Sequence, residues 1–267
     1  MSDNFWQGKR VLVTGHTGFK GGWLSLWLQK LKADVVGVAL NPQPEKNLYQ
    51  IADVAQGMAS LRQDIRDRHG LMKIFREHQP EVIFHLAAQP LVRESYHYPV
   101  ESWETNVMGS INVLEAVRSS KSVKAMVMVT SDKCYENREW EWGYRENDHL
   151  GGFDPYSSSK AAAEIATSAW RDSFLRDEGI AVASVRAGYV IGGGDWAKDR
   201  LIPDILIALT EGRALTIRYP NSVRPWQHVL EPWHCYLMLA EKLFDKDMLY
   251  ATAWNFGPDD RDVKTVE

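Results

Sequence analysis

The front half of the chain alternates short apolar runs with stretches whose apolar residues recur at helical spacing. Arg10–Thr14 (RVLVT) reads as a strand, and apolar positions 23, 24, 27, 28 and 31 mark a helix across Trp23–Leu31. Asp34–Leu40 reads as the next strand, a third strand precedes Asp64, and a helix covers Arg68–His78 before strand Val82–Leu86. Helix Trp103–Ser119, strand Ala125–Thr130, helix Pro155–Arg176 and strand Ala181–Arg186 continue the alternation. The strand runs are apolar on both sides, as a sheet covered on both faces requires. Strand and helix in this order predict an α/β fold built on a doubly wound parallel sheet. After Gly192-Gly193-Gly194-Asp195 the pattern loosens, and Pro203, Pro220, Pro225 and Pro232 interrupt short segments. Residues 1–190 are therefore expected to form the sheet domain, and residues 191–267 a smaller C-terminal domain interleaved with it.

The 267 residues suffice for a substantial core. The hydrophobic share of 45% and charged share of 25% are ordinary for a soluble globular protein. A formal net charge of −4 gives no general attraction to nucleic acid or to an anionic membrane, so a phosphate-bearing ligand has to be held by local groups. Two cysteines, Cys134 and Cys235, are too few for a disulfide framework or a zinc cluster; no metal is expected, and a reducing cytoplasmic setting is. Met1–Lys9 is polar with no apolar signal core, and no apolar run reaches the length of a membrane span. Trp140-Glu141-Trp142 lies in a charged stretch and reads as surface loop.

Gly15-His16-Thr17-Gly18-Phe19-Lys20-Gly21 follows the first strand and opens the first helix. Glycines let the backbone turn tightly and approach a pyrophosphate, whose charge is met by free N–H groups at the helix start. In this strand-turn-helix setting the segment predicts a dinucleotide site. The second strand ends in Val38-Ala39-Leu40-Asn41, which offers Asn41 in place of the acid that normally holds the ribose hydroxyls. No Arg or Lys follows directly to meet a 2′-phosphate, so NAD is favoured over NADP.

Asp154-Pro155-Tyr156 starts a helix with Asp as N-cap and Pro at the first helical position. Tyr156 and Lys160 then fall at i and i+4, on one face. A tyrosine, with a pKa near ~10, is a poor base at neutral pH. A close ammonium and a positive nicotinamide ring favour the phenolate, which suits proton removal from a substrate hydroxyl as hydride leaves for NAD. Val127–Ser131 carries hydroxyls to the carboxyl end of a strand, the edge where open α/β sheets bind ligands.

The glycine turn, Ser131, Tyr156 and Lys160 together resemble the catalytic set of the extended short-chain dehydrogenase/reductase superfamily, with its Rossmann-like domain. Arg186–Trp196 (RAGYVIGGGDW), Arg200-Leu201-Ile202-Pro203 and Arg224-Pro225-Trp226-Gln227-His228 resemble its nucleotide-sugar dehydratase and epimerase family, over nearly the whole chain. The resemblance implies that Asp64 and Ile65 contact adenine, that Leu86-Ala87-Ala88-Gln89 forms the nicotinamide-side loop, and that Asn106 is the helix asparagine. Read without it, Asp64 is equally a loop acid and Asn106 equally structural. Ser131-Asp132-Lys133 narrows the implication: dTDP-glucose dehydratases carry Asp-Glu in the last two places, and Asp-Lys looks like the branch acting on CDP-glucose. The implied reaction is oxidation at carbon 4, loss of water from carbons 5 and 6, and return of the hydride to carbon 6. Asp132 would protonate the departing hydroxyl, and Lys133 would remove the carbon 5 proton or help position the site. A lysine base must be neutral, and burial, Lys160 and the nicotinamide charge push in that direction.

For the substrate, the resemblance places Arg224 on the diphosphate, where a guanidinium fork fits two oxygens. Arg200, Leu201 and Ile202 resemble the segment along the nucleoside, while Arg93, Glu94 and Ser95 reach glucose hydroxyls; His228 is equally a packed histidine or a ligand. Tyr189 stands where the family pattern has asparagine, which puts substrate affinity or identity in question. Family members continue past the region of Asn255–Pro258, so a chain ending at Glu267 is expected to hold an incomplete small domain. Three alternatives stay open: a dehydratase of another nucleotide sugar, a 4-epimerase, and a non-catalytic NAD-binding relative. An epimerase needs no acid and base at 132 and 133. The superfamily resemblance also implies a homodimer, or a dimer of dimers, through helices Trp103–Ser119 and Pro155–Arg176. Ala161, Ala162, Ala166 and Ala169 would permit close packing there.

Overall fold

A computed structural model describes residues 4–43 and 45–266; the outer limits of the two expected domains, residues 1–3 and Glu267, lie outside the described residues. The first half runs β1 (Arg10–Thr14), α1 (Phe19–Lys30), β2 (Asp34–Ala39), α2 (Leu48–Ile51), β3 (Ala59–Arg62), α3 (Arg68–His78) and β4 (Val82–His85). Next come α4 (Val92–His97), α5 (Pro99–Trp103), α6 (Ser110–Arg118), β5 (Ala125–Val129), α7 (Pro155–Trp170) and β6 (Ala181–Ala187). The chain then forms β7 (Val190–Ile191), α8 (Leu201–Glu211), β8 (Val223–Arg224), β9 (Gln227–His228), α9 (Leu230–Phe244), β10 (Ala253–Phe256) and β11 (Lys264–Thr265).

The main sheet has the order β3-β2-β1-β4-β5-β6-β10, and every pairing in it is parallel. Chain direction across the sheet reverses between β1 and β4, which opens a crevice at the carboxyl ends of those strands. The period of two along β1 explains its two-sided burial: Val11 and Val13 enter one core cluster and Leu12 the other. The first cluster packs α1 (Leu24, Leu28) and α9 (Trp233, Leu237) on one face. The second packs α3 (Leu71, Ile74) and α6 (Val113, Leu114) on the opposite face. Each such side chain contributes roughly 1.5–3 kcal/mol on burial, so the site rests on a stiff, doubly covered platform.

Two helices differ from their expected form. The segment expected as one helix from Trp103 ends α5 there, widens into a π turn over Glu104–Gly109, and resumes as α6. Likewise α7 passes at Trp170 into a π turn over Arg171–Leu175. Apolar periodicity does not register such single wider turns. Beyond residue 190 the chain returns to the main sheet: α9 buries Trp233, Tyr236 and Leu243 in the first cluster, and β10 pairs with β6. The outlying layer is α8 with two small two-stranded sheets, β7-β9 and β8-β11. No helix among the described residues is long and apolar enough to cross a membrane.

Candidate active site

The glycine turn folds as its sequence requires. Gly15 has φ +80°, and a Cβ there would stand 2.8 Å from the Ala87 nitrogen. A Cβ at Gly21 would stand 2.1 Å from the Gly15 carbonyl oxygen. Helix α1 starts after Gly18 with no side-chain cap and no acid in its first turn, so its leading N–H groups remain for a ligand. A cleft of about 560 Å³ runs across the turn. Gly15, Thr17, Gly18, Phe19, Lys20 and Gly21 line its floor, with Leu86, Ala87, Ala88 and Gln89 alongside. Asn41, Asp64 and Ile65 line it over β2 and β3, and Tyr156, Lys160 and Arg200 line it towards β5. A glycine cradle, an uncapped helix start and an elongated cleft at the switch point together fit a dinucleotide.

His16 alone of the turn lies under the floor. A Cβ at Gly37 would strike its ring, Nε2 lies 2.7 Å from Ser60 Oγ, and burial followed by the Arg62 charge lowers its pKa to about 4. Asn106 is buried in the π turn and fully engaged: Nδ2 donates to the Gln89 carbonyl at 3.1 Å and to Ser159 Oγ at 2.9 Å, while Oδ1 accepts from Gln89 N at 2.8 Å. It clamps the loop after β4 to α7 and does not line the cleft.

Asp154 caps α7, accepting from Ser157 N at 2.9 Å, and Pro155 opens the helix. Tyr156 and Lys160 follow on its buried face, 8% and 7% exposed. Burial pushes the Tyr156 phenol up to about 12; a hydrogen bond with Ser131 works against this, Asp132 adds to it, and Arg200 opposes it. The protein by itself therefore holds a neutral phenol: burial dominates, and the lowering expected from Lys160 is not among the influences on it. Burial, then Lys20, brings Lys160 down to about 8, against the pull of Glu164. Lys20 also falls to about 8, through burial and then Arg200, with Asp132 and Asp195 opposing.

Ser131 caps the short 3₁₀ turn Asp132–Cys134, accepting from Lys133 N at 3.2 Å and donating to Asp132 Oδ1 at 3.0 Å. Asp132 is half-buried against Gly188, where a Cβ would stand 3.0 Å from its Oδ2. Lys133 is exposed, contrary to the burial that the expected neutral base requires. An acid, a phenol and a bridging hydroxyl thus meet beside buried ammonium groups, a set suited to proton transfer at a sugar.

Two buried networks support this centre, and the sequence reading named neither. Thr14 Oγ1 accepts from Leu86 N at 3.0 Å and Ala87 N at 3.1 Å, so its proton goes to His85 Nδ1, 2.7 Å away. Ser110 Oγ donates to the Asn106 carbonyl at 2.7 Å, so His85 Nε2 is the donor across 3.0 Å to Ser110. The imidazole is neutral with its proton on Nε2, and burial followed by Lys160 lowers its pKa to about 3. Its signal was a lone polar residue closing an apolar strand. The second network centres on Glu164, one turn beyond Lys160. It pairs with Arg186 at 2.8 Å and accepts from Thr130 and, at 2.6 Å, from Ser184. Arg186 donates onward to the Tyr135 hydroxyl at 2.6 Å, which donates to Asn255 Oδ1 at 2.6 Å. The second network ties α7, β5, β6 and β10 together.

Substrate-side residues divide. Arg200 stands at the start of α8 without capping it, pairs with Asp195 at 2.7 Å, and acts electrostatically on both Lys20 and Tyr156. Leu201 and Ile202 are half-buried behind it. Arg93 is exposed and pairs with Asp199 at 2.9 Å, and Glu94 is exposed. Ser95, expected to reach the sugar, is fully buried: its hydroxyl donates to the Val92 carbonyl at 2.6 Å and accepts from Tyr156 N at 3.1 Å. Arg224 lies 4.9 Å from the Tyr189 ring, which meets Trp226 edge-on at 5.1 Å, and its buried Nε has no partner among the described residues. Tyr189 therefore braces a guanidinium. His228 is exposed, with Nδ1 accepting from Leu230 N at 3.3 Å.

Residues 12–256 match the model of the GDP-mannose 4,6 dehydratase family, and the chain belongs to that family. Among individual proteins, it is 54% identical to the CDP-glucose 4,6-dehydratase of Salmonella typhimurium, over 99% of this chain and 75% of the relative. It is 27% identical to the dTDP-glucose 4,6-dehydratase of Shigella flexneri, over 82% of this chain and 65% of that protein, just under two thirds of its length. Its fold is similar to that of Thermus thermophilus UDP-glucose 4-epimerase, solved as a complex with NAD, at TM-score 0.80 and 26% identity over 96% of this chain and 79% of that one. The UDP-glucose 4-epimerase of Thermotoga maritima shares the fold at TM-score 0.82 and 21% identity, over 96% and 78%.

Proposed function

We propose that this chain catalyses the NAD-dependent 4,6-dehydration of CDP-glucose to the 4-keto-6-deoxy sugar nucleotide. The observation that carries the reading is Ser131, whose hydroxyl donates to the Asp132 carboxyl group at 3.0 Å and acts on the Tyr156 phenol. One hydroxyl thereby joins the group suited to oxidation at carbon 4 to the group suited to loss of the carbon 6 hydroxyl. The 54% identity to a CDP-glucose 4,6-dehydratase supports the same substrate.

NAD, when bound along the glycine turn, supplies a hydride acceptor and donor that no side chain provides. Tyr156, as the phenolate that the positive charge of a bound nicotinamide would favour over the neutral phenol, takes the carbon 4 hydroxyl proton, with Ser131 orienting that hydroxyl and Lys160 one helical turn away. Asp132 donates a proton to the departing carbon 6 hydroxyl. Lys133, in the same turn, removes the carbon 5 proton; because its ammonium is exposed, this role requires the bound sugar to cover it. Arg224, braced by Tyr189, holds the diphosphate, and Arg200 lies along the nucleotide.

The exposed Val100, Met108 and Ile165 on α5, its π turn and α7 favour a homodimer formed through these helices, and the free thiols of Cys134 and Cys235 are in keeping with a cytoplasmic setting. Incubation with NAD and CDP-, dTDP-, GDP- or UDP-glucose, followed by mass spectrometry, tests the function. Loss of one water from CDP-glucose ahead of the others is expected; no loss from any of them rejects the reading.

A further inference from the structure

Between β7 and α8 the chain runs as a strap, residues 192–200, tied at several points to other parts of the fold. Near its start, Trp23 Nε1 on α1 donates to the Gly193 carbonyl at 2.8 Å. Gly194, at φ +87°, lies so close to α2 that a Cβ there would stand 2.6 Å from Leu48 Cδ1. Asp195 Oδ1 accepts from Ala197 N at 3.1 Å, and Oδ2 pairs with Arg200 at 2.7 Å. Asp199 pairs with Arg93 on α4 at 2.9 Å and with Arg218 at 3.5 Å. Ala197, Lys198 and Arg200 line the cleft, as do Asn41 and Gln43 from the segment that follows β2.

The two bordering segments meet where the Lys46 ammonium lies 3.8 Å from the centre of the Trp196 ring, well within reach of a cation–π contact. Lys46 is exposed and makes no ion pair among the described residues. Trp196 is half-buried, and its buried Nε1 has no partner among the described residues, so the ring is held by its face and not by its N–H. Three glycines, 192–194, precede it and leave the backbone free to turn there. Beyond it, Arg200 acts electrostatically on Tyr156 and Lys20. A hold on Trp196 therefore fixes the strap and, through the neighbouring Asp195, the place of Arg200.

We propose that Lys46 and Trp196 are positioning residues for the reaction: their contact clasps the strap to the segment after β2 and keeps the cofactor in the cleft while its hydride is taken up and returned. This rests on the proposed reaction with NAD. The test is stopped-flow release of NADH from loaded protein into excess NAD⁺, followed by nicotinamide fluorescence, with NADH association measured alongside. Lys46→Ala should speed dissociation by about two- to fivefold, the scale of one exposed cation–π contact, and leave association nearly unchanged. Lys46→Arg should restore slow release, since a guanidinium also lies well over an aromatic face. Trp196→Ala should release NADH at least as fast as Lys46→Ala, and the double variant no faster than Trp196→Ala alone. A lysine that merely attracts the dinucleotide's charge would alter association instead. That outcome, unchanged dissociation in Lys46→Ala, or additive effects in the double variant overturns the proposal. Because Lys46 is exposed, its two variants decide the matter even if Trp196→Ala does not fold. Failure of the unaltered chain to bind NADH would reject the dinucleotide reading, and the clasp with it.

Discussion

The buried Ser95 hydroxyl accepts the backbone N–H of Tyr156 at 3.1 Å, tying α4 to the first turn of α7. That N–H is one of the donors a helix start leaves without an intrahelical partner. Ser95 therefore sets the position from which the phenol enters the cleft. Ser95→Ala leaves a buried donor unpaired, a cost of about 1–3 kcal/mol. Steady-state kinetics should show a lower kcat with KM for the sugar nucleotide little changed. A raised KM at unchanged kcat would mean direct sugar binding.

The neutral, buried His85 makes stability fall in acid. Its folded pKa of about 3 lies below the unfolded value near 6.5. Above pH 6.5 neither state is protonated and the contribution is complete. As pH drops towards 3, only the unfolded chain takes up the proton, so stability declines by up to about 1.4 kcal/mol per pH unit. His16, at about 4, adds a loss of the same sign. Urea midpoints at pH 7 and pH 5 should differ accordingly, and His85→Gln should flatten the slope.

Much of the sheet and the cleft floor is legible from local pattern. Arg10–Thr14 and Arg68–His78 fall where apolar periodicity puts them, and the heptapeptide at 15–21 has the glycines that its close backbone approaches demand. What stayed hidden depends on neighbours distant in sequence. Arg62 reaches Asn41 only because β3 pairs with β2, and His85 is neutral only because Thr14 and Ser110 fix its protons. The burial that raises Tyr156 is likewise a tertiary quantity, invisible to an i, i+4 spacing.

The Glu164–Arg186 pair is almost wholly buried, at 2% and 4% side-chain exposure. Removing one partner from such a pair typically costs about 3–5 kcal/mol. Glu164→Gln should lower the unfolding midpoint correspondingly, and a double replacement by Met should recover part of the loss. A midpoint unchanged in Glu164→Gln would contradict the network's structural role.

Lys133 is exposed at the edge of the turn that carries Asp132. Lys133→Ala should spare reduction of NAD by CDP-glucose, followed at the nicotinamide absorbance, yet stop release of the 4-keto-6-deoxy product. Product formation at the unaltered rate would remove Lys133 from the reaction.

The central claim is that the phenol of Tyr156 handles the proton at carbon 4. The most direct measurement is the kcat of Tyr156→Phe for water loss from CDP-glucose, set beside its dinucleotide affinity. Loss of a positioned acid–base group predicts a fall of about 10²–10⁴-fold with binding nearly intact. Turnover at the rate of the unaltered chain would contradict the account.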